Sequence, residues 1–140
     1  EELTILDRMA TSGSIVETKQ VVDIATVSES RKLVNQIYID PAVREYIVEL
    51  VHNTRNPANC DPSLVPLIRV GASPRATIIL ALAAKGRAFT QGRAFVTPQD
   101  VKDLAPDVLR HRILPSYEAE AEEISTDTIV ERILQKTIVP

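Results

Sequence analysis

The residues with the clearest chemical potential stand six in a row: Gly71-Ala72-Ser73-Pro74-Arg75-Ala76. Ser73-Pro74 is a helix-start signal, a capping hydroxyl followed by a proline whose missing N–H costs nothing in a first turn. Arg75 then falls in that first turn, where a cation opposes the helix dipole at a cost of roughly 0.3–1 kcal/mol. The same terminus attracts anions through its unpaired N–H groups. A guanidinium placed there adds a bidentate donor for phosphate oxygens. Gly71 lets the incoming backbone take any angle, and Pro74 stiffens the entry. The segment therefore reads as a rigid presentation of one guanidinium. Two partners fit it: a phosphate, or a carboxylate of this same chain.

No catalytic constellation accompanies it. The sequence has no Gly-x-x-x-x-Gly-Lys-Ser/Thr loop to wrap phosphates, and Gly86 and Gly92 have the wrong spacing and no following lysine. Cys60 lies in a Pro/Asn-rich stretch without a neighbouring base, so a structural thiol is expected. One cysteine with His52 and His111 makes neither a disulfide nor a metal set. His52 lies just beyond an apolar helical stripe and reads as a surface or boundary histidine.

The elements that must position Arg75 follow from periodicity and caps. Residues 2–9 form a short helical pattern with Leu3, Ile5, Leu6 and Met9 apolar, and Thr11-Ser12-Gly13-Ser14 reads as a loop. Ser28 is expected to cap a helix running to about Asn35. Asp40-Pro41 opens another, on which Val43, Tyr46, Ile47, Leu50 and Val51 recur at three- and four-residue steps. Residues 53–70 hold Pro57, Pro62 and Pro66 and are expected to form a long loop without a helix. The helix from Ser73 runs to about Phe89. Thr97-Pro98-Gln99-Asp100 starts the next, which is expected to break near Pro106 and resume. Ser125 or Thr126 caps a last helix. Phe95-Val96 and Arg112–Pro115 are candidate short strands, and Glu118 to Glu123 an acidic, solvated stretch. The expectation is an all-α bundle of five or six helices with at most two very short strands. Its core should include Tyr46, Ile47, Leu50, Ile78, Ile79, Leu82, Val101, Leu104, Leu109, Ile129 and Ile133.

Composition agrees. The chain has 140 residues, 44% hydrophobic and 25% charged, which is globular rather than disordered. That length suits one domain, expected here as an independently folding unit over 1–140. With 4% aromatic residues it is poor in strand formers. No apolar run reaches the roughly 20 residues of a membrane span. The acidic start, Glu1-Glu2, is unlike a signal peptide, so a cytoplasmic protein with no membrane partner is expected. The absence of a start methionine or cap suggests a piece of a longer protein. The net charge of −3 is segregated. Residues 1–68 carry 6 basic and 10 acidic groups, 69–112 carry 8 and 3, and 113–140 carry 2 and 6. The basic middle faces either an external anion or its own acidic flanks. A helical nucleic-acid-binding module is the alternative reading of that stretch, and a protein-interaction module without a ligand is another. Negative total charge, few aromatics and scattered arginines oppose the first, so no nucleic-acid partner is expected.

Several ordered motifs together carry a family resemblance. Gly71–Ala76 is very similar to the sensor-2 motif of the MoxR family of AAA+ ATPases. Tyr46-Ile47-Val48-Glu49-Leu50-Val51 leads into Thr54-Arg55 as in that family. The Ala-rich helix from Ala76 to Ala88 follows, then Gly92-Arg93-Ala94-Phe95-Val96-Thr97-Pro98-Gln99-Asp100-Val101, then Val108-Leu109-Arg110-His111-Arg112-Ile113. The departures are Gly86 inside the sensor-2 helix, and Cys60 with three prolines in the preceding loop. The resemblance implies the C-terminal helical lid of such an ATPase, with the nucleotide-binding core lying upstream. It implies ATP and Mg2+ as cofactors of the parent enzyme, and none for the isolated lid. Arg75, supported by Gly71, Ser73 and Pro74, would be the sensor-2 residue that approaches the γ-phosphate. It further implies that the parent hydrolyses ATP as a homo-hexamer, chaperone-like, with its own AAA+ core and von Willebrand A-domain proteins as partners. The lid alone is expected not to hydrolyse ATP and to bind it no more tightly than about millimolar.

Overall fold

A computed structural model of the chain describes residues 2–10 and 18–140. Glu1, the side chain of Met9 and the loop expected at Thr11-Ser12-Gly13-Ser14 lie outside the described residues. The described elements are α1 (Glu2–Met9), α2 (Ile24–Gln36), α3 (Pro41–Arg55), β1 (Ile68–Val70), α4 (Arg75–Thr90), α5 (Pro98–Leu109), β2 (Leu114–Pro115), α6 (Tyr117–Ala121) and α7 (Thr126–Lys136). Two 3-10 helices, Pro57–Asn59 and Pro62–Leu67, lie between α3 and β1. The fold is mostly helical with one minimal sheet, as the composition implies.

The chain divides into two compact units, residues 1–30 and 31–140. In the first, Leu3, Ile5, Leu6, Val21, Val22, Ile24 and Val27 are all exposed. The start of α2 differs from the Ser28 expectation. Asp23 turns the chain instead, its Oδ1 accepting from the Thr26 N–H at 2.6 Å. A carboxylate ahead of Ile24-Ala25-Thr26 out-competes a serine four residues into a run with no helix breaker.

The second unit holds the core. α3 starts where Asp40-Pro41 requires, with Ala42 N–H donating to Asp40 Oδ1 at 2.9 Å, and its stripe of Val43, Tyr46, Ile47, Leu50 and Val51 is buried. α4 packs between α3 and α5, and α7 closes the bundle against the same two helices. α5 carries a full capping box between Thr97 and Asp100. It does not break at Pro106 but runs on to Leu109. Burial of Val101, Ala105, Val108 and Leu109 against the bundle offsets the one hydrogen bond that the proline removes. α7 buries Ile129, Val130 and Ile133.

The long loop expected over 53–70 is built rather than structureless. Its prolines open two 3-10 helices, where a missing N–H is tolerated, and Leu64 and Leu67 anchor it in the core. Asp61 caps the second of these through the Ser63 N–H at 3.0 Å and also pairs with Arg132 of α7 at 2.9 Å. The segment then forms β1, which pairs antiparallel with β2 in the register Ile68↔Pro115 and Val70↔Leu114. Phe95 makes only a single parallel bridge, to Tyr38. The acidic stretch folds as α6, capped by Ser116 and held by one buried residue, Ala119.

The buried face of α4 is the main correction to the expected core. The row Ala76, Leu80, Ala84 and Ala88 is fully buried, whereas Ile78 is 62%, Ile79 37% and Leu82 52% exposed. Leu104 is partly buried. Apolar residues surround α4 on all sides, so periodicity cannot choose its inner face. Tight approach to α3 and α5 chooses it, because small alanines let helix axes close in. Leu80→Ala is therefore expected to cost about 2–5 kcal/mol. Leu82→Ala should cost under about 1 kcal/mol, as for surface positions. Urea melts of the two variants check the order, and a larger loss at Leu82 would reverse the assigned face.

Candidate functional site

Arg75 is the first residue of α4 and is exposed. Among the described residues its guanidinium has no hydrogen bond and no ion pair. No carboxylate among the described residues pairs with it. The expected Ser73 cap does not form. Pro74 occupies the cap position, no side chain caps the terminus, and the turn closes through Ala76 N–H to Ser73 O at 2.9 Å and Thr77 N–H to Pro74 O at 3.1 Å. Backbone bonds replace the hydroxyl because Pro74 is itself in the helical region, φ −56° and ψ −21°.

What holds this terminus in place is the end of α3. Ala72 N–H donates to Thr54 Oγ1 at 2.9 Å, and Thr54 Oγ1 donates onward to Val51 O at 2.7 Å. Arg55 Nη1 donates to Ala72 O at 2.6 Å. Both polar groups of the Ala72 backbone are thus satisfied by one neighbouring turn, in a place where Thr54 and Ala72 are fully buried. Gly71 makes this approach possible. A Cβ there would lie 2.3 Å from Thr54 O and 2.7 Å from Arg55 N. Gly71 is needed for contact, not for backbone freedom. The backbone periodicity and caps did not reveal the roles of Thr54 and Arg55. Only their pairing with Gly71–Ala76 as ordered motifs pointed towards them.

The other end of α4 is clamped as well. Gly92 follows the helix at φ 70°, and Arg93 N–H closes the turn on Ala88 O at 2.8 Å. Arg93 then grips Asp100 with both terminal nitrogens, Nη1 to Oδ2 at 2.8 Å and Nη2 to Oδ1 at 2.6 Å. Asp100 also accepts from Thr97 N–H at 2.8 Å and Thr97 Oγ1 at 2.9 Å, and Arg87 Nε lies 3.5 Å away. Burial alone would raise the Asp100 carboxyl. The Arg93 hydrogen bonds, the two Thr97 donors and the Arg93 charge outweigh it and hold the group below the usual carboxylate range.

These pairs decide what the basic stretch is for. Arg87 pairs with Asp100 and Asp103, Arg93 with Asp100, and Arg110 with Asp107 at 3.0 Å and Asp127 at 3.1 Å. Lys85 donates to Asn35 O at 2.9 Å, and Arg69 lies over the Tyr117 ring, 5.9 Å from its centroid. Three of the eight basic groups, Arg87, Arg93 and Arg110, meet carboxylates, and of those carboxylates only Asp127 lies in the acidic flanks. His52 is exposed beside Asn56, as expected, and Cys60 is half-buried with burial raising its thiol pKa. Among the described residues no cluster of three His, Cys, Asp or Glu is placed to hold a metal, and no helix is long and apolar enough to cross a membrane.

The structure is a small helical bundle with a minimal two-stranded sheet. Residues 65–133 match the AAA lid domain family. Chaperone MoxR1 of Mycobacterium tuberculosis is 34% identical over the whole of this chain, which spans 37% of that protein. Protein MoxR of Paracoccus denitrificans is 38% identical over 62% of the chain and 28% of its own length. The crystal structure of a Cytophaga hutchinsonii protein, assigned as an ATPase, superposes with a TM-score of 0.94 at 39% identity over 99% of this chain and 42% of that one. The chain belongs to the lid domains of the MoxR family of AAA+ ATPases, and it spans about two-fifths of the length of Chaperone MoxR1 and of the Cytophaga hutchinsonii protein.

Two predictions follow from the clamps. Thr54→Val keeps the volume but leaves the buried Ala72 N–H unsatisfied, so it should cost about 1–3 kcal/mol. Thr54→Ser should cost less, and thermal melts of the two variants check the order. The Asp100 carboxyl contributes stability above its unfolded pKa near 3.8, and that stability is lost as pH falls through the lower folded value. Asp100→Asn should therefore flatten the acid limb of the stability curve below about pH 4, measured by urea melts against pH.

Proposed function

We propose that this lid works in a longer ATPase, where Arg75 is the sensor-2 residue that contacts the γ-phosphate of ATP bound by the rest of the protein. The single observation that carries the reading is the unpaired Arg75 guanidinium on a helix terminus pinned to α3. An exposed arginine with no carboxylate, beside a terminus that no side chain caps, is chemically fitted to an anion. ATP supplies that anion when bound. ATP and Mg2+ would be held mainly outside this chain, whose own contribution is Arg75 and the α4 terminus. Gly71 and Pro74 would support it by fixing the direction of the turn, and Ser73 only through its backbone carbonyl, which accepts from Ala76 N–H.

Loss of the γ-phosphate would remove the Arg75 contact and release the lid, so that hydrolysis becomes motion. Because α4 is clamped at both ends, it would carry α3, α5 and α7 with it as one body. The motion would serve remodelling or maturation of partner complexes. Family likeness further supports a homo-hexamer that works in the cytoplasm with von Willebrand A-domain proteins.

Arg75→Ala in the full-length protein is expected to lower ATP turnover about 10-fold or more, since a charge-assisted contact to phosphate is worth roughly 1.5–3 kcal/mol. The lid should stay folded, because exposed Arg75 makes no hydrogen bond or ion pair among the described residues and alanine is a good helix former. Arg75→Lys should recover only part of the rate. Turnover and lid melting are measured on the same variants. Normal turnover with an intact lid would remove Arg75 from the cycle.

A further inference from the structure

Arg55 spends a charged donor on a neutral acceptor. It is the last residue of α3 and is exposed, and its one hydrogen bond among the described residues runs from Nη1 to Ala72 O at 2.6 Å. No carboxylate among the described residues pairs with it. Ala72 is fully buried, so its carbonyl depends on this donor. The bond spans 17 residues of sequence and enters the chain just ahead of the turn that carries Arg75.

The turn from which Arg55 reaches is fixed from the opposite direction. Asn53 is buried, and its Nδ2 donates to Thr137 Oγ1 at 3.1 Å. Thr137 is buried as well, follows α7, and donates from that hydroxyl to Ile133 O at 2.8 Å. Three consecutive residues thus divide the work. Asn53 ties the end of α3 to the end of α7, whereas Thr54 and Arg55 tie Ala72 to the end of α3. Of the three, Arg55 alone is exposed and adds nothing to the core. A strong bond from a fixed base to a buried carbonyl sets the position of a backbone rather than filling space.

We infer that Arg55 is a positioning residue of the ATPase, holding the Ala72 carbonyl so that the turn delivers Arg75 at the angle a phosphate contact requires. The inference rests on the sensor-2 reading for the reaction affected. Positioning is favoured over a direct phosphate contact because the Arg55 guanidinium is engaged with the backbone, whereas that of Arg75 has no hydrogen bond or ion pair among the described residues. A charge-assisted bond is shorter and stronger than a neutral one, which suits a restraint on direction. Rates are sensitive to displacements of about 1 Å at a reacting centre, so loss of the restraint acts on turnover.

The test uses the full-length protein and a double-mutant cycle of Arg55→Met and Arg75→Ala, with Arg55→Lys as the conservative variant. ATP turnover is measured below the onset of melting of every variant. Arg55→Met keeps the apolar stem and loses the donor, and it is expected to lower kcat about 3–10-fold, no more than Arg75→Ala does. In the Arg75→Ala background it should lower kcat no further, because no guanidinium is left to aim. Arg55→Lys should restore most of the rate, since a single ammonium N–H suffices for a carbonyl, in contrast to the partial recovery of Arg75→Lys. Unchanged turnover in Arg55→Met would make the bond structural only and overturn the inference. A further loss in the Arg75→Ala background would show Arg55 acting by itself, as a direct phosphate contact does, and would also overturn it. The two readings fail differently. Normal turnover in Arg75→Ala removes the sensor-2 reading and this inference together, whereas a loss in Arg75→Ala beside normal turnover in Arg55→Met removes only the positioning role.

Discussion

The contact between Gly71 and the last turn of α3 is the constraint on which the rest depends. It places the backbone of one turn against the carbonyl of Thr54 at a distance that admits no side chain. Thr54 and Arg55 then bind both polar groups of Ala72. A helix that begins three residues later inherits its direction from that turn, because Pro74 leaves little freedom in between. Arg75 is thus positioned through the backbone behind it, with no hydrogen bond or ion pair of its guanidinium among the described residues.

The same division of labour runs through the basic stretch. Arg87, Arg93 and Arg110 are spent on Asp100, Asp103, Asp107 and Asp127, and the bidentate Arg93–Asp100 pair joins the loop after α4 to the first turn of α5. Asp100 is both the capping-box residue of α5 and the bidentate partner of Arg93, so one buried carboxylate fixes a cap and a helix–helix joint together. Partly buried charge of this kind is retained only when its hydrogen bonds are complete, and here the carboxylate receives four. The result is a helix held at its start by backbone contacts and at its end by an ion pair.

Much of this was legible in the residues. Asp40-Pro41 and Thr97-Pro98-Gln99-Asp100 are local signals, and both helices begin where those caps put them, because a cap acts on N–H groups two or three residues away. The buried stripe of α3 follows from its spacing, since polar residues mark its other faces. The motif Gly71–Ala76, read together with Thr54-Arg55, was enough to single out Arg75 and to indicate the family of the lid. Composition was enough to indicate a mostly helical fold.

What the tertiary structure decided is whatever depends on a partner far along the chain. α4 is apolar all round, so the choice of the Ala76–Leu80–Ala84–Ala88 row over Ile78 and Leu82 was made by the close approach of α3 and α5. The prolines of 57–66 forbid an α-helix but allow 3-10 turns, and only Leu64 and Leu67 entering the core, with Arg132 on Asp61, select that outcome. β1 is three residues long and exists because β2 arrives beside it from more than forty residues away. Pro106 stays inside α5 because packing on the bundle outweighs one lost hydrogen bond. The sequence by itself determined the starts of α3 and α5 and singled out Arg75 as a candidate, through interactions that span a single turn, whereas the starts of α2 and α4 differ from their serine signals. Which face of α4 is buried was settled by contacts with α3 and α5, distant in sequence from its own pattern.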